Sequence, residues 1–332
     1  MRDLKVKHSK YIKKYNMKRF SNILFVTSTD IDDSAALHQA VVLANNNQAK
    51  LTVIDIVSEF DKVKYETSAT ELENMIVDSR RIELQKFVSR EPSSGVSIDC
   101  KVLVGKRFIE VIHEVLLYQR DLVIKSAEPV GGIELLFGSE DMKLLRKCPC
   151  PLWIINSSQR DEYRQVMAAV AYSPEDTDTD ALNGQILELA ISTALANFAQ
   201  LHIVHAWRLP HESFLRSGRL NNTDDEVDVM AGEEKEKRRL WLEALVDKHC
   251  TARAKETIDY LKPIIHLPQG LARNEVHRVA SEIGVELVVM GTVGRSGIPG
   301  VLIGNTAETI LQQIACSVLA VKPPGFVSPI TL

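Results

Sequence analysis

The chain has 332 residues, enough for two domains at about 150 residues each. With 45% hydrophobic and 25% charged residues it has the composition of a globular chain with full cores, and a formal net charge of −4 excludes a molecule that is basic overall and built to hold nucleic acid. Five scattered cysteines exclude a disulfide framework and point to a reducing compartment, so a cytoplasmic location is expected, and no apolar run reaches the length of a membrane span.

Residues 1–20 form a basic tail with eight Lys or Arg residues against Asp3 alone, which leaves −11 for the remainder (−4 less +7). Such blocks are solvated, so disorder is expected there, with Met17 as an alternative start. The tail has no long apolar core of the kind a secretory signal carries.

A first α/β domain is expected over 21–156. Short Val/Ile/Leu-rich runs at 23–27, 51–57, 98–104, 122–125 and 152–155 read as strands buried on both faces. Between them, Ser34–Asn46 and Phe108–Gln119 carry apolar residues at helical spacing, with Asp32 or Asp33 as N-cap of the former. A polar linker, 156–163, leads to a second domain over 164–324. Its strands are expected at 166–171, 201–207, 264–267, 287–291 and 318–321, and its helices at 179–196, 233–248, 274–283 and 306–315. Five strands alternating with helices predict, in each domain, a parallel sheet covered on both faces.

The two domains repeat one another. Ile23 and Val166 open equivalent strands 143 residues apart, while Cys150 and Cys316 stand 166 apart, so the second copy carries 23 more residues. The polar stretch between His211 and Arg239 is where they are expected.

The chemistry concentrates at 286–306. A strand runs into Met290 and Gly291, and Thr292, Val293, Gly294 and Arg295 begin a glycine-rich loop. Gly304, Asn305 and Thr306 open a helix. Glycines let a ligand approach the main chain, and the free N–H groups of a helix start favour an anion. The loop leaves the carboxyl end of a parallel strand, where open α/β sheets bind ligands.

The spacing Gly291-x2-Gly294-x9-Gly304 after a Val-Val-Met strand resembles the ATP-binding signature of the universal stress protein family. Together with the doubled layout, the Gly304–Glu308 run and Leu144–Pro149, it resembles the tandem, E-type members of that family. The resemblance implies two tandem five-stranded parallel-sheet α/β domains, adenine nucleotide alpha hydrolase-like, related by a pseudo-two-fold. It also implies ATP or a related nucleotide, with or without Mg, in the second copy. The matching ligand positions are Ala169, Val170 and Ala171 at the first strand tip, Ala206 beside adenine, Met290, Gly291 and Thr292, then Gly294, Arg295, Gly304, Asn305 and Thr306 around phosphate. An aspartate usual in the family at the first strand tip is Ala171 here, and the residue after the last glycine is Asn305 rather than Ser or Thr.

In the first copy only Gly138 and Ser139 match the loop, and Glu128 and Glu134 place negative charge where phosphate would sit, so no ATP is expected there. That copy is expected to bind another ligand or to be a structural partner. The implied role is a ligand-sensing stress protein in which ATP changes the loop 295–303 and an unidentified protein partner reads the change, with a homodimer of tandem chains and slow ATP hydrolysis as options. The alternative is a scaffold or carrier without nucleotide, its lipophilic or acyl ligand at the apolar stretch Ile133–Phe137. No catalytic residue and no metal ligand is expected: His202 and His205 are three apart on one strand and face opposite sides, and the other histidines have no metal-ligand spacing. Cys148-Pro149-Cys150 lacks the Cys-x-x-Cys spacing of a redox pair, and Cys150 opens a buried strand.

Overall fold

The computed structural model describes residues 20–28, 32–58, 69–92, 95–128, 137–156, 162–173, 175–217, 222–251, 261–293 and 303–332. The basic tail, most of Ile133–Phe137, and Gly294 and Arg295 lie outside them. The chain falls into two compact units, residues 1–162 with 315–332, and residues 163–314.

In unit 1, β1 (Asn22–Val26), β2 (Lys50–Val57), β3 (Ile98–Val104), β4 (Leu122–Ser126) and β5 (Leu152–Ile155) alternate with α1 (Ser34–Asn47), α2 (Ala69–Val88), α3 (Arg107–Tyr118) and α4 (Ser139–Lys147). The strands run parallel in the order β3-β2-β1-β4-β5. Ile23, Leu24, Phe25 and Val26 are all fully buried. Consecutive residues point to opposite faces, so β1 is covered on both. Burying each such side chain contributes about 1.5–3 kcal/mol.

Unit 2 repeats the plan with β6 (Gln165–Ala169), α5 (Thr177–Asn197), β7 (Gln200–Val204), α6 (Glu212–Leu215), α7 (Asp224–Thr251), β8 (Ile264–His266), α8 (Ala272–Ile283), β9 (Leu287–Gly291) and α9 (Asn305–Gln313). These strands are parallel in the order β9-β6-β7-β8. The repeat extends to details: Asp121 accepts from the main-chain N–H groups of Ser21 and Asn22 at the start of β1, and Glu286 does the same for Arg164 and Gln165 at the start of β6.

The strand expected at 318–321 is β10 (Ser317–Val321), and within unit 1 it pairs antiparallel with β5, Leu319 opposite Trp153, a pairing the sequence did not suggest. All five of its residues are buried, and its ladder covers a side of β5 that would otherwise offer unpaired N–H and C=O groups.

α7 begins at Asp224, ahead of the expected Glu233. Thr223 and Glu226 form a reciprocal capping box: the Thr223 N–H donates to Glu226 Oε2 (2.8 Å) and the Glu226 N–H to Thr223 Oγ1 (3.2 Å). Within unit 2, α5 meets α7 at Gly184, where an added Cβ would stand 2.4 Å from His249 Cε1. Gly184→Ala should therefore lower the thermal midpoint by the equivalent of about 1–3 kcal/mol, although alanine is the better helix former. A raised midpoint would show that α7 yields at this contact.

Candidate functional site

Strand register fixes which residues share the carboxyl edge of unit 2. Ala169 lies between Val204 and Met290. After β6 the chain adds β7 and β8 on one side and β9 on the other, so β6 is the switch point of its sheet, where a crevice for ligands is expected.

The tip of β6 is held by its own neighbours. The Val170 N–H donates to the Val204 carbonyl. Asn183 of α5, 2% exposed, clamps Ala171 at both polar groups: Ala171 N–H donates to Oδ1 (3.0 Å) and Nδ2 donates to the Ala171 carbonyl (2.7 Å). This clamp removes Ala171 from the ladder, which is why β6 stops at Ala169 rather than the expected 171. Asn183 gave no signal in the sequence.

On β7, the N–H groups of His205 and Trp207 both donate toward the β8 side, to His266 and Pro268. Alternation turns the N–H and C=O of Ala206 to the other side, past the end of β6. His205 Nδ1 lies 3.2 Å from the Val170 carbonyl, which can only accept, so Nδ1 carries the proton and Nε2 is a bare, buried acceptor. Burial holds His205 neutral, lowering its pKa to about 4, with the Arg238 charge acting in the same direction. α7 covers this edge: Trp241 stands edge-on to both His205 and Tyr172 at 5.0 Å, and the Arg238 guanidinium lies 3.5 Å above the Tyr172 ring. Trp207, by contrast, is buried and donates to the Leu267 carbonyl. His202 faces away from His205, as the alternation requires; its ring is bonded to His266 (2.9 Å) and Gln165 (2.7 Å).

The residues expected around phosphate draw on β9 and α9. Met290 and Thr292 are buried, and Gly291 is pressed against α5, where a Cβ would meet Leu182 Cδ2 at 2.8 Å. A side chain at this position would have to displace Leu182, so packing favours glycine here independently of any ligand. The Gly304 N–H donates to the Thr292 carbonyl (2.8 Å), which ties the start of α9 to the end of β9. Gly304 is the N-cap and offers no side chain, while Asn305 and Thr306 are exposed. Thr292 Oγ1 is fully buried with no hydrogen-bond partner among the described residues. The start of a helix, with its N–H groups and the positive end of its dipole, favours an anion, and the first turn of α9 has one acidic residue, Glu308.

Unit 1 shows the same position in another state. Register makes Lys125 the counterpart of Met290, and the Gly138 and Gly304 N-caps align Asp141 with Ala307. Lys125 Nζ is bonded to Asp141 Oδ1, and both side chains are fully buried. Asp141 Oδ2 accepts from the N–H groups of Glu128 (2.9 Å) and Gly138 (3.1 Å). The carboxylate thus takes up the amides and the helix start that an external phosphate would use. Glu128 stands 3.5 Å from Lys125 Nζ, its carboxyl raised by burial. At the position equivalent to His205, Asp55 is 2% exposed and binds Arg80 of α2 (2.7 Å) and Thr27 (3.2 Å). Asp141 thus supplies an anion of the chain's own beside Glu128, while Glu134 lies outside the described residues.

Comparison with known proteins agrees with this doubled plan. The model of the universal stress protein family matches residues 19–156 and 162–322. The chain is 28% identical over 325 residues to universal stress protein E of Salmonella typhi, across 95% of this chain and 98% of the relative. It is 27% identical over 318 residues to the universal stress protein E homolog of Haemophilus influenzae, across 92% and 98%. A universal stress protein from Archaeoglobus fulgidus DSM 4304 has a TM-score of 0.55 at 14% identity, over 91% of this chain and 98% of its own. A functionally unknown protein from Pseudomonas aeruginosa PAO1 has a TM-score of 0.64 at 24% identity, over 92% and 94%. At these identities the two structures speak for the fold alone.

Proposed function

The chain belongs to the universal stress protein family, and on that premise we propose that it is a stress-response protein binding ATP or a related adenine nucleotide in its C-terminal domain, residues 164–324. One observation carries the reading: α9 opens on Gly304 as α4 opens on Gly138, but where α4 carries Asp141, paired with Lys125, α9 carries Ala307. Met290, Val293 and Ala307 stand where Lys125, Glu128 and Asp141 do, so unit 2 lacks the Lys–Asp pair that lies against the helix start of unit 1 and leaves that position to an anion from outside. The γ- and β-phosphates meet the amides of Asn305 and Thr306 and the loop that carries Gly294 and Arg295. The base lies toward Ala206, whose main chain is turned to that side, and Ala169–Ala171 and Met290–Thr292 floor the crevice. Domain 1, residues 21–156, is a structural partner with its phosphate position filled. The site sits in a cytoplasmic protein that acts as a sensor: occupancy changes the loop 295–303 and a protein partner reads the change. Among the described residues no helix is long and apolar enough to cross a membrane.

Gly304→Asp tests this with its own folding control. The new carboxylate is a favourable N-cap for α9, so stability is kept or gains a few tenths of a kcal/mol. It also opposes phosphate at short range, so ATP affinity measured by calorimetry, with and without Mg, should fall at least about tenfold, or 1.4 kcal/mol. Absence of saturable ATP binding by the unaltered protein, or binding indifferent to Gly304→Asp, would remove the proposal.

A further inference from the structure

At the junction of α4 and β5 in unit 1, Cys148 and Cys150 flank Pro149. The proline restricts Cys148 to extended backbone (φ −66°, ψ 128°), and the two sulfurs come to lie 3.7 Å apart on one side of the turn. Lys322, immediately after β10, reaches the same spot from 172 positions further along the chain (322 less 150), and it is 6% exposed. Its ammonium donates to the last-turn carbonyls of α4, Leu145 (2.6 Å) and Arg146 (3.3 Å), and lies 4.3 Å from the Phe326 ring.

We propose that Cys148 and Cys150 are a dithiol that a hydroperoxide converts to a disulfide, with Lys322 as the positioning cation for the Cys148 thiolate. The two sulfurs differ in role. The Cys150 hydrogen bond lowers the pKa of the Cys148 thiol against its burial, with Lys322 adding to the effect. The same bond, burial, and the charges of Cys148 and Asp121 raise Cys150. Cys148 is therefore the nucleophile and Cys150 the thiol that resolves it. Burial brings Lys322 down to about 8, which still leaves it an ammonium at neutral pH.

The step balances without any further reagent. The Cys148 thiolate attacks the outer peroxide oxygen; an S–O bond forms as the O–O bond breaks, and the departing alkoxide takes a proton from Lys322. Cys150 sulfur then attacks the sulfenic sulfur, the S–S bond forms, the S–O bond breaks, and hydroxide leaves with the Cys150 proton as water. Two thiols are oxidised and one peroxide is reduced to alcohol and water. The sulfurs close from 3.7 Å to the usual distance of about 2.05 Å by side-chain rotation. Cys148 is fully buried and Cys150 8% exposed, so only a small oxidant enters, through local opening.

The test uses the full, reduced chain and hydrogen peroxide at pH 6 to 9, followed by denaturing alkylation and peptide mass spectrometry. The expected product is a Cys148–Arg160 peptide about 2 Da lighter that takes up no alkyl group, with Cys100, Cys250 and Cys316 still alkylated. In Cys150→Ser, a sulfenic-acid trap should label Cys148. In Lys322→Gln the oxidation at pH 7 should slow about tenfold and its pH profile shift upward, the two proteins converging above the ordinary thiol pKa. Both thiols fully alkylated after peroxide, or Cys148 joined instead to another cysteine, would overturn the pair. An unmoved pH profile in Lys322→Gln would reduce Lys322 to a cap of α4.

Discussion

Asp141→Ala should cost unit 1 about 3–5 kcal/mol, the usual penalty for leaving one member of a buried ion pair behind. Three losses coincide. The Lys125 ammonium keeps its full burial and loses its partner. The N–H groups of Glu128 and Gly138 lose their acceptor. The start of α4 loses an acidic residue placed to complement its dipole. Glu128 limits the damage, because its carboxyl already lies 3.5 Å from Lys125 Nζ, but it is one-quarter exposed and does not reach both amides. Hydrogen exchange of the β1 and β4 amides reads the loss in unit 1 separately from unit 2. Lys125→Met with Asp141→Ala reproduces the Met290 and Ala307 of unit 2, removes both charges together, and should recover most of the stability. If the single change costs less than about 1 kcal/mol, the pair does not hold the site, and the contrast between the two units loses its physical basis.

The comparison of units also shows what a sequence can carry. The ten strands among the described residues were legible, because residues such as Ile23–Val26 are apolar at every position and short runs of that kind fit only a doubly covered sheet. The antiparallel pairing of β10 with β5 was not legible: nothing in the composition of Ser317–Val321 signals it, and pairing across more than 160 residues leaves no local trace. The start of α7 was legible in principle, since Thr223-x-x-Glu226 is a capping-box spacing, but the charge run that follows masks the apolar period. The acidic character of the first copy's loop could be seen, whereas its meaning depended on Asp141 folding back onto Lys125 from a helix that sequence periodicity did not reveal. At the site itself, Met290, Gly291, Thr292 and Gly304 do meet at one edge, as their order implied. The Asn183 clamp and the Tyr172–Arg238–Trp241 stack did not follow from any motif, because each joins residues whose only link is the packing of α5 and α7 on the sheet.

Acidification should weaken unit 2 before unit 1. His205 is 5% exposed, and its pKa falls from 6.5 to about 4, chiefly through burial. The folded state therefore takes up this proton only near pH 4, whereas the unfolded chain takes it up near 6.5. Between those values the unfolded state holds more protons, so stability is complete above pH 6.5 and drains away as pH falls toward 4. At 1.36 kcal/mol for each pH unit that separates the two titrations, His205 alone contributes about 3 kcal/mol to the loss. His202, also lowered to about 4 by burial and by His266, acts in the same direction. Unit 1 has the opposite tendency in two groups: Asp33 and Glu128 are raised by burial, so their folded forms bind protons more readily and gain stability as pH falls. Trp241 touches His205 and makes a local reporter, so urea midpoints followed by its fluorescence, with Trp153 and Trp207 replaced by phenylalanine, should fall steeply from pH 7 to 4.5. His205→Gln keeps a donor for the Val170 carbonyl and removes the titration; its midpoint should change with a clearly shallower slope. Equal slopes in the two proteins would mean that His205 is not held neutral by its burial against Tyr172 and Trp241.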